Sequence, residues 1–351
     1  MIDVGLIGFG LAGRSFHAPV IHAVPGLRLA AIVQRSGNEA ASPYPDARIV
    51  RSVEELLGIP GVRLIVIATP NDTHSRIAQQ CLDADRDAVV DKPLAPTLDE
   101  ALDLAKFARE CGRLLTVYHN RRFDGDFQAV LQLVASGRLG RIVRFESNYD
   151  RFRPHLKANA WRERSGPGTG VFMDLAPHLI DHALVLFGLP EAVTADIRTE
   201  REQAIVDDSF DLTLHYPGGL RALLRATMLA PTTRPRFILH GTGGAYVKHA
   251  FDLQEPLLRA GRIPWNEMPS GAGQEANSGV LTLVNAEGTV TLQERVPSAP
   301  SDYRSYYANV RDVLLGTATP LVTVEHALNV MRVLELARES SARRCTVPWP
   351  L

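Results

Sequence analysis

This 351-residue chain has few cysteines and almost no net charge. Its three cysteines are an odd number, widely spaced and without a C-x-x-C pair, which argues against a disulfide framework or a zinc site. A formal net charge of -1 gives no reason to expect nucleic acid or an acidic membrane as a partner. No basic leader is evident, and no apolar run approaches the roughly 20 residues that span a bilayer. We therefore expect a cytoplasmic protein, long enough for two domains.

The first 120 residues alternate short, continuous apolar runs with helical segments. Continuous runs are typical of strands covered on both faces, and this alternation predicts a doubly wound parallel sheet. Two helices begin at capping boxes, Ser52–Glu55 and Thr97–Glu100, and Gly112 follows the second helix. The predicted strands are Ile2–Ile7, Leu29–Val33, Leu64–Ala68, Ala88–Val90 and Leu114–Tyr118.

The pattern changes after about residue 122, where helices and alternating strands predict a second α/β domain. Strands on either side of the Pro217-Gly218-Gly219 turn are expected to pair antiparallel. The Gly, Pro, Asn and Ser content of residues 255–279 predicts a long loop. We therefore divide the chain into a dinucleotide-binding domain, residues 1–121, and a second domain, residues 122–351. Helices of the second domain are predicted over Asp126–Ala135, Leu175–Phe187, Tyr303–Leu315 and Val324–Ala342.

A glycine motif, Gly8-Phe9-Gly10-Leu11-Ala12-Gly13, follows the first strand directly. In a strand–turn–helix setting its glycines allow the turn, the approach of backbone to a pyrophosphate and close helix packing. The helix N-terminus favours the phosphates. A glycine-rich turn without a ligand is the weaker alternative. Pro19 is expected to break or restart the helix.

The second strand ends in Gln34-Arg35-Ser36, near the place where an NAD site has an acid. An arginine and a hydroxyl can bind a 2′-phosphate, whereas a carboxylate would repel it. An ordinary surface arginine is the alternative. We favour NADP over NAD.

The next strand ends in Ala68-Thr69-Pro70-Asn71-Asp72-Thr73-His74. Proline and small polar residues at the carboxyl end of a strand suit a loop that lines the ligand crevice. Asn71 or Asp72 is also expected to cap the following helix.

Lysine is rare, with four lysines among 38 basic residues, and one of them follows the strand Ala88–Val90 in the sequence Asp91-Lys92-Pro93. Such a position opens onto the ligand crevice. Lys92 can stabilise charge on a substrate oxygen or pass a proton there. Alternatively, it is a solvent-facing partner of Asp91. The strand argument alone leaves both interpretations open.

Asp174 and His178 are four residues apart and would lie on one face of a helix. Histidine is well suited to proton transfer near neutral pH, and a carboxylate can orient it or the substrate. In the alternative, Asp174 caps a helix with Pro177 in its first turn, and His178 is packed in the core.

In this order, these segments resemble the Gfo/Idh/MocA family of sugar and cyclitol oxidoreductases along essentially the whole chain. The segments that carry the resemblance are Gly8–Gly13, Thr69-Pro70-Asn71, Asp91-Lys92-Pro93, Tyr118-His119-Asn120-Arg121-Arg122 and Asp174-x-x-x-His178. Further segments are similar to the bacterial NADP-dependent scyllo-inositol dehydrogenases: Arg151-Phe-Arg-Pro154, Trp161-Arg-Glu163, Phe187-Gly-Leu-Pro190, His240-Gly241 and Tyr246-Val-Lys248.

The resemblance implies a Rossmann domain followed by an α/β domain on an open, mostly antiparallel sheet, whose exposed face forms a homodimer or homotetramer. It also implies a cis bond between Lys92 and Pro93, although Asp91 stands where many relatives have glutamate. The cofactor contacts that it implies are Gly8, Phe9, Gly10, Leu11, Ala12, Gly13, Arg35, Ser36, Thr69, Pro70, Asn71, His74, Asp91, Lys92 and Asn120.

The mechanism that the resemblance implies is reversible hydride transfer between nicotinamide and a carbon with a secondary hydroxyl. His178 removes the hydroxyl proton in oxidation, Lys92 stabilises the developing oxyanion, and Asp174 hydrogen-bonds a neighbouring hydroxyl. No metal is expected, because histidine and lysine replace the Lewis acid of zinc dehydrogenases. The expected substrate contacts are Lys92, Asn120, Arg153, Trp161, Asp174 and His178.

The expected substrate is scyllo-inositol or its inosose, and another polyol, sugar or keto-sugar is the alternative. A different class of function is a non-catalytic, dinucleotide-sensing regulator of the same fold. The set Lys92, Asp174 and His178 disfavours a sensor, because binding alone requires no proton-transfer histidine.

Overall fold

The computed structural model describes residues 1–156, 163–166, 168–267 and 277–350. The chain forms two compact units. Unit 1 contains Met1–Phe123 and two later segments, which begin at Leu253 and at Asp302. Unit 2 begins at Asp124 and contains the remaining residues. The chain therefore returns to unit 1 twice.

The secondary structure follows the chain in a regular order. The strands are β1 (Ile2–Ile7), β2 (Leu27–Val33), β3 (Arg48–Val50), β4 (Val62–Ile67), β5 (Asp87–Val90), β6 (Leu115–Val117), β7 (Ile142–Asn148), β8 (Ala192–Arg198), β9 (Ser209–His215), β10 (Arg221–Thr227), β11 (Phe237–Gly241), β12 (Gly244–Lys248), β13 (Gly279–Val284), β14 (Val290–Val296) and β15 (Val347–Pro348). The α-helices are α1 (Ala18–His22), α2 (Val53–Leu57), α3 (His74–Asp83), α4 (Leu98–Glu110), α5 (Gly125–Ala135), α6 (Gly170–Phe187), α7 (Gln254–Arg259), α8 (Pro264–Glu267), α9 (Arg304–Leu314) and α10 (Val324–Arg343).

The sheet of unit 1 has six parallel strands in the order β3-β2-β1-β4-β5-β6. Val4, Leu64 and Val89 in its central strands are fully buried, as in a sheet covered on both faces. This arrangement is a Rossmann domain and confirms the predicted doubly wound sheet. The sequence analysis missed β3, because three residues at the edge of a sheet leave almost no pattern.

The local signals at the helix ends of unit 1 act as predicted. Ser52 Oγ accepts the N–H of Glu55 at 3.1 Å, and Thr97 Oγ1 accepts the N–H of Glu100 at 3.3 Å. The helix after the glycine motif is interrupted, because a π-helical turn over Gly13–His17 precedes α1. Pro19 lies in the first turn of α1, where its missing N–H has no helical partner to lose.

The prediction of a long loop over residues 255–279 is wrong, because α7 and α8 lie in it. Leu258 is buried in the hydrophobic core of unit 1, and the buried side chain of Gln254 accepts the N–H of Tyr303 at 2.8 Å. These contacts join segments distant in sequence. Tertiary packing therefore stabilises short helices that the local composition disfavours.

The sheet of unit 2 has nine strands in the order β14-β13-β12-β11-β7-β10-β9-β8-β15. Neighbouring strands pair antiparallel, except for the parallel pair β7 and β10. Helix α6 packs against β7, β9 and β10. This confirms an open, mostly antiparallel sheet.

Helix α6 has the length and composition of a membrane span, but 67% of it is buried inside unit 2. Its buried residues include the polar side chains His178, Asp181 and His182, and His182 stacks on Phe127 with ring centroids 3.8 Å apart. Extensive burial against a sheet is typical of a core helix.

Candidate active site

The carboxyl ends of the parallel strands in unit 1 lie at one edge of the sheet. Gly8 follows β1, Arg35 follows β2, Thr69 follows β4, Asp91 follows β5 and Asn120 follows β6. The strand order reverses between β1 and β4, which is the switch point where doubly wound sheets bind ligands. The sheet therefore brings the predicted cofactor segments of unit 1 to the same edge.

The three glycines of the turn after β1 have different surroundings. Gly8 has φ +99°, and a Cβ added there would lie 2.6 Å from the carbonyl oxygen of Ala68. A Cβ added at Gly13 would lie 2.0 Å from the carbonyl oxygen of Gly8. At Gly10, no atom of the described residues comes within 4 Å of an added Cβ. Packing within the chain requires Gly8 and Gly13, whereas Gly10 borders open space, which fits the close approach of a pyrophosphate.

The loop after β2 leaves Arg35 and Ser36 exposed, as a pair that binds a phosphate must be. The Gln34 amide donates to the carbonyl oxygen of Ser36 at 3.0 Å and to the Glu39 carboxylate. Gln34 Oε1 accepts the N–H of Ala40 at 3.2 Å. Gln34 therefore holds the loop that presents Arg35 and Ser36.

A second arginine, Arg51, holds the same loop, and the sequence analysis missed it. Arg51 Nη1 donates to the carbonyl oxygens of Gln34 at 2.8 Å and of Gly37 at 2.6 Å, and Nη2 donates to Asn38 Oδ1 at 3.1 Å. Arg51 reaches the loop because β3, which it follows, pairs with β2. The only signal in the sequence was an arginine after Ile49-Val50, in a strand too short to recognise.

The loop after β4 is joined to the turn after β5. His74 is fully buried, with Nδ1 2.8 Å from the carbonyl oxygen of Pro93 and Nε2 3.0 Å from that of Thr69. Thr69 Oγ1 also lies 2.6 Å from Thr73 Oγ1. His74 therefore connects two of the segments that carry predicted cofactor residues.

The prediction that Asn71 or Asp72 caps the next helix is wrong. A 3-10 turn over Asn71–Thr73 comes first, and the N-cap position of α3 is Thr73, without a side-chain capping bond. Asn71 is instead buried, 9% exposed, between Pro70 and the start of the helix. The irregular turn replaces the ordinary capping geometry that the residue types indicated.

The Asp91-Lys92-Pro93 turn has a cis peptide bond before Pro93, as predicted. Lys92 is half-buried, and its backbone N–H donates to Asp91 Oδ1 at 2.8 Å. Burial alone would raise the pKa of Asp91, but the nearby imidazole of His17, with the charges of Lys92 and His74, lowers it to about 2. Asp91 is therefore ionised at neutral pH.

Asp174 and His178 lie one turn apart on α6 in unit 2. Asp174 is half-buried and the side chain of His178 is buried, 6% exposed. The helix begins at Gly170, five residues before the predicted start at Leu175. Asp174 therefore lies in the second turn of the helix.

The cap of α6 comes from Asp207, which lies far away in sequence. Asp207 Oδ1 accepts the N–H of Phe172 at 2.6 Å, and the Asp207 carbonyl oxygen accepts the N–H of Val171 at 2.9 Å. Pro177 lies inside the helix and not in its first turn. The alternative in which Asp174 caps the helix is therefore wrong.

Two further predicted substrate residues, Arg153 and Trp161, belong to the stretch of chain between β7 and α6. Arg153 is exposed in unit 2, and its backbone N–H donates to the carbonyl oxygen of Met228 at 2.7 Å. Trp161 lies outside the described residues. Lys92 belongs to unit 1, whereas Asp174 and His178 belong to unit 2.

Comparison with known proteins agrees with the fold of both units. Residues 2–119 match an oxidoreductase family with an NAD-binding Rossmann fold, and residues 127–247 match the GFO/IDH/MocA C-terminal domain. The chain belongs to the Gfo/Idh/MocA oxidoreductase family. Like other members, this Gfo/Idh/MocA oxidoreductase has a Rossmann domain that binds NAD(P), followed by a domain on a mostly antiparallel sheet.

Several relatives of this Gfo/Idh/MocA oxidoreductase match it along its whole length. It is 42% identical to the uncharacterized oxidoreductase YdgJ of Escherichia coli, covering 99% of this chain and 98% of the relative. It is 37% identical to the Bacillus subtilis scyllo-inositol 2-dehydrogenase (NADP(+)) IolW, covering 99% and 95%. The solved structure of Bacillus subtilis yvaA matches with a TM-score of 0.94 and 36% identity, covering 99% and 98%.

Proposed function

We propose that this oxidoreductase uses NADP(H) to interconvert a secondary alcohol and a ketone of a cyclitol or sugar, with scyllo-inositol and its inosose as the first candidates. The observation that carries the proposal is the full-length similarity, at 37% identity, to a protein named scyllo-inositol 2-dehydrogenase (NADP(+)). The half-buried Lys92 after β5, at the sheet edge that binds ligands in doubly wound folds, supports the same conclusion.

The cofactor in this proposal is NADP. When bound, its nicotinamide supplies the hydride acceptor or donor. The turn Gly8–Gly13 holds the pyrophosphate, because Gly10 borders open space. Arg35 and Ser36 bind the 2′-phosphate through a guanidinium and a hydroxyl. The other cofactor contacts that we propose are Thr69, Pro70, Asn71, His74, Asp91, Lys92 and Asn120.

Three residues act on the substrate in this proposal. His178 takes the hydroxyl proton during oxidation and returns it during reduction. Lys92 stabilises negative charge on the same oxygen, and Asp174 accepts a hydrogen bond from a neighbouring hydroxyl. The additional substrate contacts that we propose are Asn120, Arg153 and Trp161.

A spectrophotometric screen of inositols, inososes and sugars with NADP(H) and NAD(H) tests the proposal. We expect turnover with scyllo-inositol or its inosose, and a preference for NADP(H). Turnover only with a different sugar or polyol would support the same chemistry on another substrate. Tight NADPH binding without turnover across the panel would instead favour a dinucleotide-sensing regulator.

We also propose a cytoplasmic homodimer or homotetramer that assembles through the exposed face of the unit 2 sheet. Side chains of opposite charge lie next to each other on this face, so a second copy can place charges of the complementary sign against them. Arg198 lies 2.7 Å from Asp196 and 3.3 Å from Asp211, and Arg225 lies 3.2 Å from Asp211. Two copies can exchange such pairs. Analytical ultracentrifugation at low and high salt tests this, and a monomer at every concentration would contradict it.

The exposed face also contains a cavity of about 390 Å³. Its lining combines threonine, histidine and arginine side chains, and Thr194 Oγ1 lies 2.8 Å from His215 Nε2. A water-accessible face with both polar and apolar side chains, and with space for partner side chains, suits an interface between copies of the chain. The lining residues are Val143, Arg144, Thr194, Thr213, His215, Gly219, Arg221, Leu223 and His240.

A further inference from the structure

His17 lies completely buried in unit 1 and is not among the residues assigned above to the cofactor or the substrate. Its Nδ1 lies 2.6 Å from the Tyr307 hydroxyl, and its Nε2 lies 3.7 Å from Asp91 Oδ2. The imidazole packs against the Tyr118 ring, with centroids 4.4 Å apart. The imidazole is therefore held between a hydroxyl and the carboxylate that precedes Lys92.

The π-helical turn determines where His17 lies. Residues Gly13–His17 form this turn, and the N–H of Ala18 donates to the carbonyl oxygen of Gly13, five residues earlier. A π-helical turn contains one more residue than an α-helical turn, so it changes the direction of every side chain that follows. Such turns occur frequently at functional sites. The next helix, α1, begins at Ala18, has Pro19 in its first turn and keeps ordinary α-helical geometry.

Asp91 connects His17 to Lys92. One carboxylate oxygen, Oδ2, lies at ion-pair distance from His17, and the other, Oδ1, accepts the backbone N–H of Lys92 at 2.8 Å. The N–H of Asp91 is fixed as well, because it donates to the carbonyl oxygen of Ile67 in β4 at 2.9 Å. The main-chain N–H groups of Asp91 and Lys92 are therefore both held by hydrogen bonds, and His17 faces the second carboxylate oxygen of Asp91.

We propose that His17 is a positioning residue, which holds the Asp91 carboxylate and thereby fixes the backbone of Lys92 in the arrangement that the reaction requires. This inference rests on the role proposed above for Lys92. His74 holds the same turn at Pro93, so the two buried histidines fix it at both ends. The charged and titratable groups that face His17 and Asp91 are Lys92, His74, Tyr118, Tyr306 and Tyr307.

A double-mutant cycle with His17→Leu and Asp91→Asn tests the proposal. We expect His17→Leu to lower kcat about 10-fold or more and to leave KM and NADPH affinity within about twofold. Because His17 acts through Asp91, the fold-loss in kcat of the double variant should be smaller than the product of the two single losses. His17→Gln, which keeps an N–H donor near the position of Nε2, should recover most of the activity. Simple addition of the two losses would overturn the proposal.

The pH profile gives a second readout. Without His17, burial still raises the pKa of Asp91 and part of the opposing effect is lost, so its pKa should rise. The kcat of His17→Leu should therefore fall as pH falls, and Asp91→Asn should remove this dependence. His22→Leu, at an exposed position on α1, is the control and should behave as wild type. A folded His17→Leu enzyme whose kcat equals that of the wild type at every pH would overturn the proposal.

Lysine reactivity in the cofactor-free protein separates this inference from the proposed function. Trace acetylation, measured by mass spectrometry, gives the ratio of the acetylation rate of Lys92 to that of Lys106, whose side chain is 71% exposed. We expect His17→Leu to change this ratio, and His17→Gln and His22→Leu to leave it unchanged. If the wild type is inactive on every substrate, the proposed function fails. The role of His17 is tested separately, because an acetylation ratio that His17→Leu leaves unchanged refutes it. If His17→Leu does not fold, His17→Phe, which keeps a ring beside Tyr118, replaces it.

Discussion

Replacement of Gly10 by alanine separates the stability of the glycine turn from its proposed contact with a pyrophosphate. No atom of the described residues lies within 4 Å of the added methyl, and the backbone at Gly10 is outside the left-handed region. We therefore expect the free energy of unfolding to stay equal or to rise by up to about 1 kcal/mol, because alanine reduces the freedom of the unfolded chain. NADPH affinity should fall about tenfold or more, or about 1.4 kcal/mol, because the methyl occupies the space that the pyrophosphate needs.

Gly13→Ala is the matched control, with the opposite expectation for stability. The added Cβ would lie 2.0 Å from the carbonyl oxygen of Gly8, which is 1.4 Å short of an ordinary contact at 3.4 Å. Since a main-chain oxygen cannot rotate away, we expect a loss of about 1–3 kcal/mol in the free energy of unfolding. Denaturant unfolding and fluorescence titration with NADPH measure both variants. A stable Gly10→Ala protein that binds NADPH as tightly as wild type would refute the assignment of the turn.

Three further predictions concern single residues. His178→Ala should lower kcat by about 10²-fold with NADPH affinity unchanged, because proton transfer is lost; steady-state kinetics with near-normal turnover would exclude that role. Arg35→Ala should weaken NADPH about tenfold or more and NADH much less, because a charge-assisted bond to the 2′-phosphate is lost; equal losses in a binding titration would contradict it. Asp207→Ala should destabilise the protein by about 1 kcal/mol in denaturant unfolding, because the N–H of Phe172 loses its cap. Asp72→Ala, at an exposed position that caps no α-helix, is its control.

Much of unit 1 could be predicted from the sequence because its signals are local. Apolar runs gave the strands, and Ser52 and Thr97 cap the helices that they were expected to begin. The arrangement of predicted cofactor residues at one sheet edge follows from parallel strands alone. Where local signals were weak, the prediction failed: β3 is only three residues long, and Arg51, which follows it, was overlooked.

Tertiary contacts account for the remaining differences. Asp207 caps α6 from a distant part of the chain, and this extends the helix and excludes Asp174 as its cap. The hydrogen bond between Gln254 and Tyr303 similarly joins a short helix to a segment distant in sequence. No local pattern encodes such a contact, because each partner has an ordinary residue type in an ordinary setting.

The sequence by itself determined the fold class, the family and the position of Lys92 after a buried strand, because these depend on periodicity and on short motifs. Only the tertiary structure decided what surrounds that lysine. His17 and Asp91 are 74 positions apart in sequence, and parallel strand pairing with a π-helical turn brings their side chains to 3.7 Å. An interaction between a buried imidazole and a carboxylate depends on distance and desolvation, and both arise only when the chain has folded.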